Sequence, residues 1–295
     1  ARSAIQGIEG GVKLAPGTIL NVNKPGDANH VVLKNGTSES TLQVTGSGVT
    51  GTNVNLESIV VEAKGKTADL NLSGRVGDLS LKGDNNVNLQ TAGATLDVSR
   101  LSVDGTGLLG KGATINAATA DLRGAEISGT TVTAGTVTVD DKTKLEAGTV
   151  KADTVKVNDA SADAVKKLIK EGKITSKADG AKLNVNTSEV TNPELKKAFK
   201  DLPGVQSTDV KRAYEPGDFV GGKLTLDGQE YSGNTLAAGI AEAYKKGAES
   251  VTLDKETAKA IKGQNLTVPA TKTLTVQDGS DMVTTTAAQD SVIRV

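Results

Sequence analysis

The chain holds a single histidine, His30, and no cysteine. A Ser-His-Asp triad would have to use His30, which lies between Asn29 and Val31, and no Gly-x-Ser-x-Gly elbow accompanies it. That position reads as the turn-adjacent start of a strand. Without cysteine there are no disulfides, thiolate zinc sites or thiol nucleophiles, and one imidazole does not make a transition-metal site. Carboxylates remain. Asp97 and Asp104 flank consecutive apolar triads, and Asp140-Asp141 form a turn-like pair. Two carboxylates and a cation converging in a groove could act on a glycosidic bond, whereas the same residues dispersed are a solvated polar face. No tandem Gly/Asp-rich nonapeptide supports calcium, and Gly221-Gly222 lacks the Lys-Ser/Thr of a phosphate loop. No catalytic residue, metal or cofactor is therefore expected.

Binding is the other chemistry available. Aromatics make up 2% of the chain, with no tryptophan, so the candidate anchors for a partner are Tyr214, Phe219, Tyr231 and Tyr244. So few anchors predict a wet, polar interface. Lys196, Lys197 and Lys200 share a helical stretch with Leu195 and Phe199, which sets a basic face opposite an apolar one. It suits a membrane surface, an acidic partner or plain solvation. A formal net charge of -1 gives no drive toward nucleic acid, and the scarcity of aromatics removes base-stacking platforms.

The elements that must carry these residues are announced by short apolar-x-apolar triads. Leu42-Gln-Val44, Val54-Asn-Leu56, Leu70-Asn-Leu72, Leu79-Ser-Leu81, Val87-Asn-Leu89, Leu96-Asp-Val98, Leu101-Ser-Val103 and Val137-Thr-Val139 each put two side chains on one face of an extended segment. Units of this size cannot bury their apolar face alone, so they must stack on one another. With three strands per turn, a repeat would take roughly 25 residues. The pattern predicts a mainly β chain built as a right-handed parallel β-helix, with an antiparallel meander as the alternative. Asn35-Gly36 and Pro25-Gly26-Asp27 mark turns near the start, after a Gly-rich lead-in over residues 1–13.

After Val157 the texture changes, and a boundary near Ala160 divides a solenoid over 1–160 from a mixed α/β region over 161–295. Ser161 heads a helix carrying Val165, Leu168 and Ile169, stopped by Gly172. Asn192 and Pro193 open a second, ended by Pro203-Gly204. A third spans about Asn234 to Lys246 and a fourth about Lys255 to Lys262. Strands return at Leu183–Val185, Leu224–Leu226, Leu266–Val268, Leu274–Val276 and Val292–Val295. These helical additions are the material available to cap or continue a solenoid.

Two resemblances extend the reading. Ala120-Asp-Leu-Arg-Gly124 and Ala125-Glu-Ile-Ser-Gly129 resemble the Ala-Asp/Asn-Leu-x-Gly blocks of pentapeptide-repeat proteins, and the five-residue period continues through Val132 and Val137. That family folds as a quadrilateral β-helix, so the resemblance implies a β-helix here. Abundant Thr, Gly, Asn and Ala without Cys is similar in composition to exported adhesins, autotransporter passengers and translocated effectors of bacteria. It implies a secreted or surface-exposed, virulence-associated, non-enzymatic scaffold acting through a protein partner, with host proteins among the candidates. The alternative is a polysaccharide-active β-helix enzyme, a lyase, hydrolase or phage-type depolymerase. No apolar run reaches the roughly 20 residues of a membrane helix, and no secretory core precedes Ala1, whose identity suggests a trimmed start. Either a monomer or end-to-end self-association fits.

Overall fold

The computed structural model describes residues 19–22, 31–33, 41–44, 48–62, 68–82, 86–89, 95–105, 107–146 and 148–295. His30, the lead-in and the turns at Pro25 and Asn35 lie outside the described residues. The chain divides into two compact units, one formed by residues 1–152 and 163–177, the other by 153–162 and 178–295.

In the first unit, every pairing between described strands is parallel, and together the strands form a large sheet that does not close on itself. The register repeats as the triads require. Ile59 lies against Leu79, Leu79 against Leu101, Leu101 against Ala120, and Ala120 against Val137, so partners are separated by 20, 22, 19 and 17 residues. All five side chains of that row are buried. Leu56, Val76, Val98, Ala117 and Ala134 form a second buried row in the same register. A parallel sheet stacks equivalent positions, so apolar residues three apart on each successive strand become two continuous aliphatic columns.

Two details differ from the sequence-based expectation. The repeat is shorter than roughly 25 residues, because neighbouring triads run on within one strand. Leu70-Asn-Leu72 and Leu79-Ser-Leu81 both belong to Ala68–Lys82, which pairs with Asn86–Leu89 at its start and with Thr95–Asp104 over its remainder. Likewise, Gly48–Glu62 and Gly107–Asp121 each pair in two stretches joined by a register shift. The five-residue period also has a local cause. Ile127, Val132 and Val137 sit in one strand, Glu126–Thr138, where a strict period of two would send residues five apart to opposite faces. All three are nevertheless buried; between Ile127 and Val132 the strand turns at Gly129, whose φ is 63°.

The second unit is mixed. Helix α1 (Ala162–Lys170), most of which belongs to the first unit, ends in a Schellman turn: Gly172 at φ 71° donates to the Ile169 carbonyl, and Lys173 N–H to that of Leu168. Helix α2 (Pro193–Lys200) opens as its sequence announces, with the Asn192 side chain accepting from Glu194 N–H at 2.9 Å. Parallel strands Leu183–Glu189 and Val205–Thr208 flank it in sequence. The segment Lys223–Leu226 folds back on Gln229–Ser232 through Asp227-Gly228, both at positive φ, the turn that suits a two-residue hairpin. Helix α3 (Leu236–Lys245) lies on that hairpin and on Asn265–Val268, burying Leu236, Ile240 and Tyr244. Helix α4 (Lys255–Ala260) is capped by Asp254. A four-stranded sheet ends in the antiparallel pair Thr273–Asp278 and Asp281–Thr286.

Candidate functional site

A groove of the first unit, about 1140 Å³, collects the charges that project from successive strands. Lys82 and Asp104 face each other in register, and the groove continues through Asp121, Arg123, Glu126, Asp140 and Lys144. Asp121 and Arg123 are two residues apart at the end of a strand, so their side chains share a side. The Arg123 guanidinium forks onto the Asp121 carboxylate, Nε at 2.9 Å and Nη2 at 2.6 Å. This contact holds the guanidinium pKa above its ordinary value, chiefly through the hydrogen bonds.

Asp140 has a structural task. Its Oδ1 accepts from Gly124 N–H at 2.9 Å, Lys142 N–H at 3.0 Å and the Thr143 hydroxyl at 3.1 Å. The Thr143 hydroxyl also reaches the Leu122 carbonyl at 2.7 Å, so the 140–143 turn is stitched to the turn of the preceding strand. Partial burial alone would raise the Asp140 pKa; the hydrogen bonds outweigh it and leave the carboxyl below its usual range. The groove thus offers an ion-paired acid, a hydrogen-bonded acid held ionised, and exposed lysines. A glycosidase acid needs the opposite, a carboxyl kept protonated by a raised pKa.

Of the acids singled out in the sequence, Asp104 and the Asp140-Asp141 pair come together here. Asp97 does not line the groove; it accepts from Asn116 Nδ2 at 3.1 Å on the neighbouring strand. Arg123 and Thr143 went unrecognised, although the Ala-Asp-Leu-Arg-Gly block placed Asp121 and Arg123 on one side. Among the described residues, no three histidine, cysteine, aspartate or glutamate side chains gather as metal ligands.

No protein-family profile, curated protein or solved structure matches this chain. Its chemistry is therefore read from its own side chains.

The four aromatic candidates do meet, but inside the second unit. Tyr214, Phe219 and Tyr244 are 5%, 4% and 1% exposed and belong to one core cluster, against which half-buried Tyr231 packs. Tyr231 lays its ring on Gly239, where any Cβ would overlap it. The Tyr244 hydroxyl donates to the Thr273 carbonyl at 2.7 Å, and burial raises its pKa, a backbone hydrogen bond offsetting part of the rise. Tyr214 accepts from Lys211 N–H at 3.2 Å and borders a second groove of about 520 Å³. The reason for the inward placement is compositional: with so few aromatics, the second unit uses them to fill its core. On α2, Lys196 pairs with Asp209 at 3.1 Å and Lys197 with Asp201 at 2.8 Å, which neutralises much of the basic face.

Proposed function

We propose that the chain is a non-enzymatic scaffold of a bacterial secreted, surface-exposed or translocated protein, virulence-associated, which acts by presenting rows of polar side chains to a protein partner. In this reading, the parallel strands wind as a right-handed β-helix. The observation that carries it is the outward register of the first unit. Asn55, Arg75, Asp97, Asn116 and Thr133 stand in one row, and Ser58, Asp78, Arg100 and Thr119 in another. Such rows give a regular, hydrogen-bonding surface with few apolar anchors, suited to a wet interface. Immobilised protein should capture the same host or bacterial partner from repeated lysates. Charge reversal at Arg75 and Asp97 together should abolish capture without altering the circular dichroism. Capture that survives the reversal removes the rows from the interface.

The gathering of acids and cations in the first-unit groove favours a second reading, a polysaccharide-active β-helix enzyme. The Asp121–Arg123 pair and the low pKa of Asp140 weigh against it. Reducing ends released from bacterial polysaccharides by the parent, and lost in Asp121→Asn, would replace the scaffold reading with this one.

A further inference from the structure

The strand Asp281–Thr286 is the last of its four-stranded sheet and, among the described residues, pairs on one side only, with Thr273–Asp278. The two-residue turn Gly279-Ser280 makes Asp278 and Asp281 the closing hydrogen-bonded pair. Alternation along antiparallel strands then turns the N–H and C=O groups of Met282, Thr284 and Thr286 outward. All the residues of this strand are exposed, Met282 and Val283 at 50% each. The strand has no lysine, no proline and no bulge, and its single charge, Asp281, sits at its first position.

We propose that this edge docks a second copy of the chain, strand against strand, antiparallel about a twofold axis through Thr284. Residues whose backbone groups point outward can pair only with residues of the same kind, so the register is restricted. Centring on Thr284 sets Thr284 against itself and Met282 against Thr286 of the partner subunit, which satisfies every outward group of both strands. Asp281, the only charge in the strand, then faces uncharged Ala287 of the partner subunit. A parallel in-register pairing would set Asp281 against itself, and like charges directly opposite destabilise a sheet. The side chains agree. Thr275 and Thr284 already touch across the existing hairpin, hydroxyl to hydroxyl at 2.9 Å, and the axis extends that pair into a row across both copies.

Sedimentation velocity of the full chain, from low micromolar to near-millimolar concentration, should show the mass rising from 30.0 kDa toward twice that value. Thr284→Pro removes an outward N–H, a change edge strands tolerate, and should keep the mass at 30.0 kDa with the parent's circular dichroism. If the proline variant loses its fold, Thr284→Lys serves instead by placing like charges on the axis. Thr284→Cys supplies the only thiol in the chain. Opposed residues of such a pair have Cα atoms about 5.5 Å apart, within disulfide reach, so this variant should oxidise to a covalent dimer, whereas Asp281→Cys should not. A parent that stays at 30.0 kDa throughout, or a dimer that persists unchanged in Thr284→Pro, overturns the proposal.

Discussion

Gly129 and Gly172 show how differently two glycines at nearly the same φ can be constrained. Both are left-handed, at 63° and 71°, but a Cβ on Gly129 would run into the Gly110 carbonyl, while nothing lies within 4 Å of the site on Gly172. Gly172→Ala should therefore cost only the backbone strain, about 1 kcal/mol. Gly129→Ala must also push two paired strands apart and should lower the urea midpoint well beyond that. Equal midpoints would refute the steric account. Asp140 carries a pH-dependent contribution. Its folded pKa is depressed, so the stabilisation is complete above the ordinary carboxylate value of about 4 and is lost as pH falls through the folded value. Asp140→Ala should be less stable than the parent by about 1 kcal/mol at neutral pH. The gap should narrow in acid, as read from urea titrations at both pH values.

Parallel pairing converts single-residue choices into columns. Leu79 is buried between Ile59 and Leu101, and Leu79→Ala would leave a cavity in the middle of its row. The expected loss is about 2 to 5 kcal/mol in chemical denaturation. Outside the columns, charges also oppose in register: Asp78 lies 4.0 Å from Arg100, and Lys144 lies 3.6 Å from Glu126. These pairs are exposed, so each contributes below about 1 kcal/mol. Asp78→Lys should destabilise by no more than that, and the effect should fade in concentrated salt. Their larger consequence is register, since a one-residue slip would expose an entire apolar column. Helix α2 depends on its cap, and Asn192→Ala should cost about 1 kcal/mol. The helix positions and triads were readable because each rests on contacts within a few residues. The fusion of two triads into one strand was not, because whether the chain turns or runs on between Leu72 and Leu79 depends on the strands alongside.

At the scale of the whole molecule, the two units differ in what their chain must do to form. Among the described residues, strand pairs of the first unit join positions 17 or more apart and include no hairpin, whereas the second unit contains local ones at Asp227-Gly228 and Gly279-Ser280. Loop closure must precede any stabilising contact in the first case. Stopped-flow circular dichroism should therefore show refolding in about milliseconds to seconds or longer, not the microseconds of local folds. By itself the sequence determined the mainly β character, the recurrence of triads that must stack, the position of each α-helix and the absence of cysteine chemistry. Those follow from side-chain alternation, capping and composition, which act over short stretches of chain. Only the tertiary structure decided that the scarce aromatics turn inward, that Asp121, Arg123 and Asp140 share a groove, and that one strand edge stays open. Each depends on which distant segments become neighbours, because burial and pairing are properties of what surrounds a residue.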